Sequence, residues 1–302
     1  MQRIGGTEKR CAMALYQISN GQIAIQIDSM GAELKSFKRM DTGTEYMWEG
    51  DPAYWKRTSP ILFPIVGSLH NGSFLLDGKR YPMGQHGFAR DMEFQLKSQD
   101  EREIWFRLES NEETLAKYPY AFSLEAGYEL QETTVVVKWK VSNPSDQELY
   151  FSIGGHPAFR CPVTEGENQE DYRIWFDTAQ QVSTGVIEEG LMTSEQAVCP
   201  LQDGYLQITE HLFDRDALVI ERDQAHKVAL VKPDGSHYLT VSFDAPLFGI
   251  WSPPGKKAPF ICIEPWYGRC DAVDFDGTLP EREWGQKLAA KESFAASYQI
   301  GV

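Results

Sequence analysis

The stretch FSLEAGYEL, residues 122–130, separates Phe122, Leu124, Ala126, Tyr128 and Leu130 by Ser123, Glu125, Gly127 and Glu129. Side chains of an extended chain point to opposite faces in turn, so a period of two predicts a strand with one buried face. The same pattern recurs from end to end. Ile23, Ile25 and Ile27 alternate with small or polar residues, Val137, Trp139 and Val141 with lysines, and Leu239, Val241 and Phe243 with Thr and Ser; Phe294, Ala296, Tyr298 and Ile300 form a last such run. Between the runs lie SNG (19–21), DTGTE (41–45), HNGS (70–73), LDGK (76–79), SNPSD (142–146), KPDGS (232–236) and SPPGKK (252–257), whose residues favour turns.

Helical periodicity is confined to NEETLAKY (111–118), ahead of Pro119, and PEREWGQKL (280–288), both too short to carry an architecture. No shift of composition, low-complexity linker or internal repeat divides the chain. The expected fold is all-β: a single domain over residues 13–302 built as a large sandwich of two sheets packed face to face. Residues 1–12, MQRIGGTEKRCA, lack periodicity and are expected to form a loose N-terminal extension.

With 302 residues, 42% of them hydrophobic and 12% aromatic, the chain can fill a generous core. Forty-four acidic against 29 basic residues give a formal charge of -15, which repels nucleic acid and anionic membrane surfaces. Neither partner is expected. No apolar run is long enough to span a membrane and no signal-peptide pattern opens the sequence, so a cytoplasmic protein is the expectation. Cys11, Cys161, Cys199, Cys262 and Cys270 include no CxxC pair and read as reduced thiols.

Of six histidines, His70, His211, His226 and His237 lie among polar or turn residues and read as solvated loop positions. His86 (MGQHGFARD, 83–91) and His156 (FSIGGHPAF, 151–159) are set among glycines, an aromatic and a proline. The alternative for each is a core histidine bonded to a backbone carbonyl. In FICIEPWYG (260–268), Ile261 and Ile263 should face one side of a strand, Cys262 and Glu264 the other. A carboxyl in so apolar a strand is either ion-paired with an arginine or poised by desolvation as a base near neutral pH. There is no G-x-S-x-G, GxGxxG or GxxxxGK[ST]. A metal set of His86, His156 and Glu264 is conceivable on a β-sandwich, but no HxH or HExxH supports it.

At these residues the chain resembles the aldose 1-epimerase (galactose mutarotase-like) family, above all its LacX-like branch. The resemblance runs over residues 13–302 through GAELKSF, TGTEYMWEGDPAYW, SPILFPIVG, QHGFARDMEF, YFSIGGHPAF, FGIWSPP and FICIEPWYGRCD. It implies a large β-sandwich, a small-molecule sugar in a shallow cleft, no cofactor, and anomer exchange of an aldohexose or hexose derivative. It implies further that Glu264 takes the proton of the anomeric hydroxyl while His156 protonates the ring oxygen, from opposite sides of one acetal centre. Gly154 and Gly155 are expected to let the sugar approach the backbone. His86 and Arg57 match substrate-binding positions, and either Asp214 or Asp216, with Asp216 favoured, matches a hydroxyl-binding aspartate.

HGFAR also resembles the hexose-6-phosphate 1-epimerase branch, in which Arg90, helped by Lys56 or Arg57, would receive a phosphate; otherwise Arg90 is a salt bridge supporting the cleft. A non-catalytic carbohydrate-binding protein, with Trp55, Trp251 and Trp266 stacking on sugar, is the rival reading. Oligomeric state is not legible.

Overall fold

In the computed structural model the described residues are 14–302. The expected N-terminal extension, residues 1–12, lies outside them. The alternating segments form two large antiparallel sheets. One has nine strands in the order Tyr205–Gln207, Arg173–Phe176, Lys227–Val231, His237–Phe243, Ser293–Gly301, Thr134–Ser142, Ser123–Gln131, Glu103–Glu109 and Gln95–Gln99. The other runs Leu191–Pro200, Gln181–Glu188, Leu218–Glu221, Leu247–Trp251, Phe260–Tyr267, Ile153–Gly155 and Ile61–Leu62, with Ala158–Arg160 also paired to Phe260–Tyr267. A three-stranded sheet over Leu15–Ser19, Ile23–Asp28 and Glu33–Arg39 and two short hairpin-sized pairs flank them.

Alternation dictates which faces meet. Leu124, Ala126, Tyr128 and Leu130 from the nine-stranded sheet share one buried apolar cluster with Phe248, Ile250, Ile261 and Ile263 from the other. This is the sandwich that the period of two predicted. Cys262, Glu264 and Trp266, at the intervening positions, therefore project from the opposite face of the eight-stranded sheet. There they meet two smaller clusters, one around Trp48, Ala158 and Phe260, the other around Leu62, Val66, Leu247 and Cys270.

Helices are short, as expected. Residues Glu112–Lys117 form one, closed at its start by a capping box in which Asn111 accepts from the Thr114 amide. The second expected helix is corrected: PEREWGQKL makes one 3-10 turn at Leu279–Glu281 and then a strand, Gln286–Leu288. Arg282 is already extended and ends the helical path, Trp284 follows at φ 61°, and the Arg282 side chain turns inward to Asp271 Oδ1 at 2.6 Å. The chain can then pair Gln286–Leu288 with Leu149–Phe151. Cys161, Cys199, Cys262 and Cys270, the cysteines among the described residues, are unpaired. Among the described residues no helix is long and apolar enough to cross a membrane.

Candidate functional site

A cleft of about 390 Å³ opens on the outward face of the eight-stranded sheet, its walls including Trp55, Gln85, His86, Arg90, His156, Asp216, Trp251, Glu264 and Trp266. That volume lies toward the small end of ligand clefts, ~300–1,000 Å³.

Two strand segments place the central pair. Ile153 pairs with Tyr267 and Gly154 with Trp266; after the interruption at His156 and Pro157, Ala158 pairs with Cys262 in the same register. His156 thus stands directly across from Glu264. Its backbone N–H donates to Pro60 O at 3.1 Å and that of Ala158 to Thr58 O at 2.8 Å, while Glu33 Oε1 accepts from the Thr58 and Ser59 amides. The result is a contact of 3.2 Å between His156 Nε2 and Glu264 Oε2. The two groups stand side by side, which corrects the expectation of opposite sides: cross-strand neighbours on one face of a sheet must be adjacent.

Both groups are buried, and neither is satisfied within the protein. Glu264 Oε1 and Oε2, His156 Nδ1, Trp266 Nε1 and Arg90 Nε all lack a hydrogen-bond partner. Buried polar atoms are nearly always bonded, so this many orphans around one cleft mark a site built for a polar ligand. Among the described residues no arginine is ion-paired with Glu264, so the ion-pair alternative finds no support there. Burial, reinforced by the Asp216 carboxylate, pushes the Glu264 carboxyl well above its ordinary range, the nearby Trp266 indole opposing both. Burial and the cations of Arg90 and Arg57 push the His156 imidazole down to about 3. Both shifts favour the uncharged forms, a protonated Glu264 beside a neutral His156, so the pair carries one proton between its two members.

Aromatic rings hold His156 in place. Trp55 stacks on it at 4.7 Å and 29°, and Trp251 and His86 meet it edge-on at 5.5 Å. Trp55 is itself fixed by Trp48 Nε1, which donates to its carbonyl at 2.9 Å. The glycines of FSIGGHPAF make room for neighbouring rings. A Cβ on Gly154 would lie 2.5 Å from Trp266, and one on Gly155 would lie 3.0 Å from Tyr298 Oη in the core.

His86 has a defined tautomer. The Gly67 amide donates to its Nδ1 at 3.1 Å, and its own backbone N–H donates to Gly67 O at 2.9 Å. Nδ1 is therefore an acceptor, and the ring proton lies on Nε2. Burial, then His156 and the two arginines, hold His86 well below the usual imidazole range. His86 sits at φ 66°, backbone strain of the kind retained at functional sites. Only glycine fits at 67, since a Cβ there would lie 2.5 Å from the Cys270 backbone.

The other expected residues divide. Arg90 lines the cleft, its Nη2 donating to Gln85 O at 2.6 Å, and burial lowers its pKa to about 10. Asp216 lines the cleft; Asp214 instead bonds exposed His211 at 2.8 Å. Arg57 is not on the wall. Its Nη2 is engaged by Asp91 at 2.8 Å and its Nη1 reaches Arg90 O at 3.5 Å, so it backs Arg90 rather than facing a ligand. Of the four set-aside histidines none lines the cleft, though His70 is half-buried against Phe275 O. Gln85 and the Gly67 amide were missed: Gln85 adjoins a quoted histidine, and a backbone donor leaves no residue-type signal. His86 does not join a metal-like cluster; among the described residues the compact set is His156, Cys262 and Glu264.

The family model described as aldose 1-epimerase matches residues 14–301. Protein LacX (plasmid) of Lactococcus lactis subsp. lactis is 32% identical over 296 residues, covering 95% of this chain and 98% of that protein. A galactose mutarotase related enzyme from Lactobacillus acidophilus superposes with a TM-score of 0.91 at 34% identity, over 95% of this chain and 97% of the other. A galactose mutarotase-like protein from Lactobacillus casei ATCC 334 gives 0.88 at 29% identity, over 95% and 99%. By full-length match to the family model and to these relatives, the chain belongs to the aldose 1-epimerase family.

Proposed function

We propose that this protein interconverts the α and β anomers of an aldohexose or hexose derivative by acid–base ring opening and reclosure. The observation that carries the reading is the buried Glu264–His156 contact at 3.2 Å, whose remaining polar atoms have no protein partner. The anomeric hydroxyl and the ring oxygen of a pyranose are bonded to the same carbon. Two adjacent groups can therefore serve them together.

Transfer of the pair's one proton from Glu264 to His156, into the charge-separated form that burial disfavours at rest, readies the pair: the Glu264 carboxylate then takes the proton of the anomeric hydroxyl while the imidazolium protonates the ring oxygen. The bond from C1 to the ring oxygen breaks, its electron pair stays on that oxygen, and C1 becomes a carbonyl. Rotation about C1–C2 presents the other carbonyl face, and the reversed transfers close the ring. The pair ends with the proton count it began with, so no cofactor is consumed. His86, locked as an Nε2–H donor, and Asp216, an acceptor, are the groups for orienting hydroxyls.

Each member of such a pair typically contributes about 10²–10⁴-fold. Glu264→Gln is expected to lower anomer exchange by at least ~10²-fold while sugar binding persists, read by polarimetry or saturation-transfer NMR beside a binding titration. An active variant would remove Glu264 from the base role. A pure binding protein would not accelerate exchange at all.

One observation favours a phosphorylated substrate: Arg90 lines the cleft with a buried Nε that makes no hydrogen bond and has only a loose 3.9 Å approach to Asp91. Under that second reading Arg90→Ala lowers kcat/KM for a hexose 6-phosphate by about tenfold or more relative to the free sugar. Equal losses on both substrates would reject it.

A further inference from the structure

We propose that the floor of the cleft is also a site for a soft divalent cation of the zinc class, held by His156, Cys262 and Glu264, and that filling it switches the acid–base pair off. One ring nitrogen, the thiol sulfur and one carboxyl oxygen all lie within 4.8 Å of one another. All three side chains are buried, and the register explains why they converge. Cys262 and Glu264 leave the same face of Phe260–Tyr267 two residues apart, and His156 stands across from Glu264. Opposite Cys262 is Ala158, whose side chain brings no competing polar atom.

No hydrogen bond of the Glu264 carboxyl need break for an ion to enter. Neither Glu264 oxygen nor His156 Nδ1 has a hydrogen bond to lose. His156 and Glu264 line the cleft, which is the entry path. A nitrogen, a thiolate and a carboxylate are the donor set that zinc takes and that magnesium and calcium refuse. Tetrahedral zinc at ~2.0–2.3 Å from each donor keeps its ligands roughly 3.3–3.8 Å apart. The closest pair here is at 3.2 Å and the remaining separations are at most 4.8 Å, so side-chain rotation has to close a gap of up to about 1 Å. The fourth position faces the cleft and takes water or a sugar hydroxyl.

Binding releases the thiol proton of Cys262 and the proton shared by His156 and Glu264. The filled site is then neutral: a dication with two anionic ligands and one neutral ligand. Both proton-transfer groups are occupied by the metal. Loss of anomer exchange rests on the function proposed above; the binding does not.

Cobalt(II) is the probe. Titrated into the purified full chain, it is expected to bind once per molecule and give a sulfur-to-cobalt charge-transfer band in the near ultraviolet, which zinc displaces. The band should vanish in both Cys262→Ser and Cys262→Ala, each checked for native circular dichroism. One bound zinc should slow anomer exchange at least tenfold, with recovery on chelation and no effect of magnesium. Absence of the band in the unaltered protein, or its survival in both variants, overturns the site. A band accompanied by unchanged exchange overturns the switch. If the metal-free protein exchanges no anomers, the proposed function fails while the cobalt titration still decides the metal site.

Discussion

Glu264 and His156 are each held where a charge is costly, and their two ionisations belong to the pair rather than to either residue alone. Adding a second proton makes an imidazolium beside a neutral acid, which burial and the arginines oppose until about pH 3. Removing the single proton leaves a carboxylate, which burial and Asp216 oppose until well above the ordinary glutamate range. The productive one-proton state therefore spans the pH region between these two events. As pH falls through 6.5, the ordinary imidazole value, kcat/KM is expected to hold steady, with decline only toward the acid extreme and on the alkaline side. Rate measurements from about pH 4 to about pH 9 check this, and an inflection near 6.5 would show a freely titrating His156. The identities of both residues were legible because a glutamate in an apolar strand and a histidine between glycines and a proline are unusual. The position of Arg57 was not, because Asp91, its partner, becomes a neighbour only through folding.

At the scale of elements, the segment that orients His86 depends on a pair far away in the chain. Asp271 accepts from the His70 amide at 2.9 Å, its own amide donates to Ser68 O at 3.0 Å, and Arg282 Nε bonds its Oδ1 at 2.6 Å. Both members of the ion pair are buried. Arg282→Met leaves an uncompensated carboxylate and is expected to cost about 3–5 kcal/mol in urea unfolding. Because residues 67–70 then lose their anchor, KM should rise more than kcat falls; unchanged KM would show that the turn holds without it. Strand runs were legible from alternation, and LDGK from its turn chemistry: Asp77 and Gly78, both at positive φ, join Ser73–Leu76 to Lys79–Pro82. PEREWGQKL misled because Arg282 and Trp284 look helical in sequence, whereas their conformations answer to buried partners. The purpose of the Gly154–Gly155 pair was equally hidden, since Trp266, Trp139 and Tyr298 come from distant segments.

For the whole molecule, one apolar cluster takes side chains from both large sheets, with Trp139 and Tyr128 among its largest fully buried members. Neither sheet can shed its inner face without exposing the other's. Far-ultraviolet circular dichroism and tryptophan fluorescence are therefore expected to report one coincident denaturant transition; separated midpoints would show that the sheets unfold independently. The sandwich itself was readable from periodicity and turn spacing alone. The order of strands was not, because pairing partners such as Thr134–Ser142 and Ser293–Gly301 lie far apart in sequence.

Because His156 faces Glu264 across a backbone ladder, the gap between proton donor and acceptor is a lattice constant of the sheet. Gln85, Gly190 and Pro254, by contrast, reach the cleft from its rim outside any strand. Taste for one sugar over another can drift by rewriting that rim, while the chemistry beneath keeps its ruler.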